Sequence, residues 1–175
     1  MKCLLKQNQI PPMRLIKWND HGGNGSSLCN PGVSGFGGLL RNADGVWFHG
    51  FAGNIGFSNI LHAELLAVYH KLIMAWEFGI LELWCYSDSK KTIKLISDPV
   101  NEWHHYAAIL YNIKELISRD WRIHIVHTLR EDNACADSLA MLEAHNHEEY
   151  RPIAVRPYGI SLLRLPDASG TLFSR

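Results

Sequence analysis

This sequence has no surplus of charge, few cysteines and no long apolar run, and each lack excludes something. Seventeen basic and seventeen acidic side chains cancel across 175 residues, so the bulk field offers no general attraction for a polyanion. Any nucleic-acid site must therefore be local, with bound metal supplying part of the positive charge. The four cysteines, Cys3, Cys29, Cys85 and Cys135, include no Cys-x-x-Cys pair, which argues against a zinc site. They read instead as buried structural thiols of a reduced, intracellular protein, nuclear or cytoplasmic. No stretch reaches the roughly 20 apolar residues that span a bilayer. The opening MKCLLKQNQIPP is too short and too polar for a secretory leader.

What is present suffices for a core, since 47% of the residues are hydrophobic and 19% charged. The length suits one domain. Residues 1–12, ending in Pro11-Pro12, read as an extended linker, 13–146 as the domain, and 147–175 as a tail with three prolines and no clear period. Arg14–Trp18, Val33–Arg41 and Val46–Asn54 read as strands, the last two joined through Asp44-Gly45, a strong hairpin signal. Leu61, Leu65, Val68, Leu72 and Trp76 recur at helical spacing within Ser58–Phe78, with Gly79 as the stop. Ile80–Tyr86 is an apolar run expected as a buried strand. A helix follows to about Ser97, another over Trp103–Ser118, a strand over Trp121–Thr128 and a last helix over Asp132–Ala144. The order predicts an α/β fold, with a five-stranded mixed sheet (an antiparallel meander, then two parallel strands) flanked by helices.

Three acids stand apart from the solvated majority. Glu64 lies on the apolar stripe of its helix, between Leu61 and Val68, and an unpaired buried carboxylate costs several kcal/mol. Asp88 follows the carboxyl end of the Ile80–Tyr86 strand, where open α/β sheets bind ligands; a helix N-cap is the alternative reading. Asp137 lies on a helix side crowded with small residues, Ala134, Cys135 and Ala136, which permits close packing on the sheet; an exposed helix acid is the alternative. Converging carboxylates repel unless a dication sits among them. Mg²⁺ suits such a site because it takes few carboxylates and binds phosphate oxygens.

Five ordered blocks carry a resemblance. They are Gly25-Ser-Ser-Leu-Cys-Asn-Pro-Gly32, Gly35-Phe-Gly-Gly-Leu-Leu-Arg41, Ala63-Glu-Leu-Leu-Ala67, Ser87-Asp-Ser89, and the run from His127 to Ala140 that contains Arg130, Asn133 and Asp137. Together the blocks resemble the type 1 ribonuclease H family, in particular its plant retrotransposon-derived, reverse-transcriptase-associated branch, over roughly residues 14–145. The resemblance implies a ribonuclease H-like fold and metal-dependent hydrolysis of the RNA strand of RNA–DNA hybrids, with two Mg²⁺ or Mn²⁺ ions. It further implies Glu64, Asp88 and Asp137 as catalytic metal ligands. Gly25, Ser26, Asn30, Arg130 and Asn133 would contact substrate. Partners so implied are the hybrid and the rest of a reverse-transcriptase polyprotein, with a monomeric chain and no membrane.

The family's first strand ends in an aspartate directly before Gly-Ser; here that place holds Asn24. Either Asp20 is the ligand and residues 21–24 loop away, or Asn24 keeps the ancestral position as a neutral amide that ligates a cation more weakly. The run Ile16-Lys17-Trp18-Asn19 resembles the family's strand just before its aspartate, which favours Asp20. Arg130 stands where some members have histidine, as the plant branch commonly does, and offers a fixed charge to phosphate. His127, at a strand end, reads as a packed structural histidine, and His104-His105 as part of an ordinary amphipathic helix. No lysine-rich helix is present to grip a hybrid. Asn24 and the neutral charge motivate the alternative of a catalytically impaired binding or interaction domain derived from a retrotransposon.

Overall fold

A computed structural model describes residues 13–19, 31–42, 46–127 and 148–158, of which 13–19 are described as backbone only. The elements are β1 (Met13–Asn19), β2 (Gly32–Arg41), β3 (Trp47–Ser58), α1 (Ile60–Glu77), β4 (Glu82–Ser87), α2 (Lys90–Ser97), α3 (Ala107–Ile117), β5 (Arg122–His127) and β6 (Arg151–Ile153). The described strands form one sheet in the order β5-β4-β1-β2-β3-β6. β1–β2 and β2–β3 are antiparallel, whereas β1–β4 and β4–β5 are parallel. The meander and the two parallel crossovers expected from the pattern are thus present. The carboxyl ends of β1, β4 and β5 consequently lie at one end of the sheet.

A sixth strand, β6, pairs antiparallel with Gly50–Ala52 of β3. It comes from the segment left unassigned, because three residues are too few to display a period. Pro152 fits there since β6 is an edge strand. The last expected helix, Asp132–Ala144, lies outside the described residues.

α1 packs across β1 and β2, and α3 packs on α1. Its first turn is capped by Asn59, whose side chain accepts from the His62 N–H at 3.0 Å. Gly79, at φ +68°, ends it as expected, in a conformation that costs a side chain but not glycine. The core joins Phe36, Leu40 and Phe51 of the sheet to Leu65, Val68 and Leu72 of α1 and Leu110 and Ile113 of α3. Cys85 is a buried free thiol within it.

α3 starts at Ala107 rather than at Trp103. Side chains take the amides that a helix would need: Asn101 Oδ1 accepts from Trp103 N–H at 3.0 Å, and His104 Nδ1 accepts from Tyr106 N–H at 3.2 Å. His104 and His105 therefore belong to a turn, not to an amphipathic helix, and Trp103 is 94% exposed on it.

Two stability outcomes follow from the β3 side of the core. A Cβ on Gly53 would sit 2.3 Å from the Glu149 carbonyl oxygen and 2.6 Å from Phe36 Cζ. Backbone cannot yield as a flexible side-chain tip can, so Gly53→Ala is expected to lower stability by about 1–3 kcal/mol, read from urea unfolding.

His70 stacks between Phe36 and Tyr150, at centroid distances of 4.9 and 4.7 Å. Burial lowers its pKa from 6.5 to about 4. Between those values the unfolded chain takes up a proton that the folded chain refuses. Its contribution to stability is therefore whole above pH 6.5 and is lost as the pH falls to about 4. On the order of 2 kcal/mol, after allowing for partial solvent screening, should disappear over that window. In His70→Gln the urea midpoint should be flatter across the same range.

Candidate active site

Glu64 sits on the second turn of α1 and is only 7% exposed. The apolar stripe that predicted this burial is real, since Leu65, Ala67 and Val68 beside it are buried too. Its carboxylate reaches α2, where Thr92 Oγ1 donates to Glu64 Oε2.

Asp88 follows the last residue of β4 and precedes α2 by two positions. It does not cap that helix. Ser89 does, its Oγ accepting from Thr92 N–H at 3.2 Å. The capping alternative therefore falls, and the Asp88 carboxylate is left for something else. Its Oδ1 is buried and has no hydrogen-bond donor among the described residues. Among those residues neither Glu64 nor Asp88 has an ion-pair partner. A desolvated acceptor with nothing to accept from is costly, and a cation is the partner that would satisfy it.

One turn of chain links the elements that carry the two acids. Ser87 Oγ accepts from Ser89 N–H at 3.2 Å, Ser89 caps Thr92, and Thr92 holds Glu64. From the other side, His127 Nε2 lies 3.1 Å from the Asp88 carbonyl oxygen. A carbonyl only accepts, so Nε2 carries a proton and donates it. His127 is exposed at the end of β5 rather than packed, which corrects the packing expected of it; its hydrogen bond to the Asp88 main chain is a structural one. The missed signal was its place: β4 and β5 are parallel neighbours with Ser87 opposite His127, so both strands deliver their ends to the same edge.

Asp20, Asn24, Gly25, Ser26, Asn30, Arg130, Asn133 and Asp137 lie outside the described residues. β1 ends at Asn19, one residue before Asp20. Among the described residues no three acidic, histidine or cysteine side chains cluster as a metal centre, and only Glu64 and Asp88 of the expected ligands fall within that set. The donor chemistry of these two fits a hard dication: carboxylate oxygens, one of them buried without a partner among the described residues. Among the same residues no helix is long and apolar enough to cross a membrane.

A family described as reverse transcriptase-like matches residues 22–142. The chain belongs to this family. Its reverse transcriptase-like match includes Asn24 and leaves Asp20 outside. An Arabidopsis thaliana protein named "Putative ribonuclease H protein" is 33% identical over 125 residues, which are 71% of this chain and 20% of that protein. The chain thus spans about a fifth of that relative's length. Among solved structures, ribonuclease H1 of the halophilic archaeon Halobacterium salinarum is similar with a TM-score of 0.61 at 23% identity, covering 74% of this chain and 95% of that one. LC11 ribonuclease H1, solved in complex with an RNA/DNA hybrid, is similar with a TM-score of 0.65 at 22% identity, covering 75% and 96%. This member of the reverse transcriptase-like family has the ribonuclease H-like fold.

Proposed function

We propose that the chain is a metal-dependent endonuclease that hydrolyses the RNA strand of RNA–DNA hybrids. The observation that supports this is buried Glu64, tied through Thr92 and Ser89 to the turn that carries Asp88, whose Oδ1 has no donor among the described residues, at the end of the parallel strands. The RNA/DNA hybrid bound by LC11 ribonuclease H1 supports the substrate class.

In this reading Glu64, Asp88 and Asp137 would hold two Mg²⁺ or Mn²⁺ ions, with Asn24 or Asp20 as the remaining ligand. Divalent cations bound there would supply the charge that activates water and stabilises the leaving oxygen of a phosphodiester. The chain's own groups do the rest. Gly25, Ser26 and Asn30 meet the RNA strand, whose 2′-hydroxyl distinguishes it from DNA. Arg130 offers a fixed positive charge to phosphate, and Asn133 completes the contacts. His127, exposed and hydrogen-bonded to the Asp88 main chain, steadies the backbone that carries Asp88. The domain begins at residue 13 and extends past 146 to include β6, which pairs with β3; it acts as a monomer in the nucleus or cytoplasm, as one part of a longer reverse-transcriptase polyprotein.

The test is cleavage of an end-labelled hybrid with and without Mg²⁺. Cutting confined to the RNA strand and stopped by EDTA is expected. Metal-independent binding with no turnover at any Mg²⁺ or Mn²⁺ concentration would instead identify a catalytically impaired binding domain, the reading that Asn24 motivates.

A further inference from the structure

We infer that the Thr92 hydroxyl is the positioning group for Glu64, holding its carboxylate ready for a divalent cation. This rests on Glu64 and Asp88 being cation ligands. Thr92 is fully buried, at 0% exposure, in the first turn of α2. A helical threonine commonly returns its proton to a carbonyl of its own helix. This one gives it to a carboxylate 28 residues away, on α1.

A carboxylate oxygen that receives a hydroxyl proton cannot swing freely. With Oε2 tied to Thr92, Oε1 is the oxygen left for a cation, and its direction is set before the cation arrives. The same turn governs Asp88. Thr92 N–H is fixed by Ser89, Ser89 N–H by Ser87, and the Asp88 carbonyl by His127. Two acids from separate elements are thereby kept in one spatial relation by the start of α2. A bond that merely braced α1 against α2 would affect folding but not cation affinity, which separates the two roles.

The experiment compares the full chain with Thr92→Val and Thr92→Ser, using Mn²⁺ calorimetry, melting temperature with and without Mn²⁺, and steady-state cleavage of a hybrid. Thr92→Val is expected to weaken Mn²⁺ binding roughly 10-fold or more, as loss of an orienting hydrogen bond does. The rise in Tm that Mn²⁺ confers should shrink with it. kcat should fall at fixed Mn²⁺ while KM for the hybrid stays put. Thr92→Ser, which keeps the hydroxyl, should restore all three. Should Val not fold, Thr92→Ala adds no bulk and gives the same comparison. Unchanged Mn²⁺ affinity in a folded variant lacking the hydroxyl overturns the inference alone and leaves the site standing. Wild type that binds no Mn²⁺ overturns the cation site and the inference together.

Discussion

Glu64→Gln is expected to reduce hybrid cleavage at saturating Mg²⁺ by more than about 100-fold, with hybrid binding little changed. The substitution keeps shape and one hydrogen-bond acceptor but removes the negative charge. Glu64 is buried, and the donor it has is the neutral Thr92 hydroxyl, so its charge has no role in pairing with a described base. If that charge serves a cation, losing it removes several kcal/mol of transition-state stabilisation, and each 1.36 kcal/mol is about one decade of rate. Stability in EDTA should hold or rise, because a buried carboxylate without a counter-ion is itself a cost. Cleavage within about threefold of wild type would place Glu64 among structural residues.

Asn24→Asp is expected to raise cleavage at limiting Mg²⁺, by on the order of tenfold, since one added carboxylate at a cation site is worth at least the 1.4 kcal/mol of a decade. The family match covers residues 22–142, which include Asn24 and not Asp20, whereas the strand resemblance points to Asp20. The paired variant decides between them. Asp20→Asn should leave the Mg²⁺ dependence near wild type. If instead Asp20→Asn abolishes cleavage and Asn24→Asp changes nothing, Asp20 is the ligand and residues 21–24 are an insertion. A wild type that is inert until Asn24→Asp is introduced would make Asn24 a lesion in a former enzyme.

Much of the architecture was legible because burial imposes periods. Leu61, Leu65 and Val68 announced α1, and the same spacing exposed Glu64 as an acid on the wrong face, which the structure shows buried. The Asp44-Gly45 signal located the β2–β3 hairpin, and Gly79 the end of α1. Asp88 was ambiguous because an acid before a helix looks alike whether it caps or ligates; only the hydrogen bond from Thr92 N–H to Ser89 Oγ removed the ambiguity. Local side-chain competition hid the start of α3, where Asn101 and His104 take amides that periodicity assigns to a helix. His127 was misread because strand pattern says which face a residue is on, not what stands beside the strand's end. Thr92 carried no signal at all, since a threonine in a short polar helix gains its role only from an acid on another element.

The claim on which the rest depends is that acids distant in the chain share one dication site. Titrating Mn²⁺ into the ¹³C-labelled chain and following paramagnetic broadening of the carboxyl resonances tests it most directly. Glu64, Asp88 and Asp137 should broaden together at substoichiometric Mn²⁺ and recover when Mg²⁺ is added in excess. Broadening spread over surface carboxylates such as Glu115, or an Asp137 signal that stays sharp while Glu64 disappears, would contradict it.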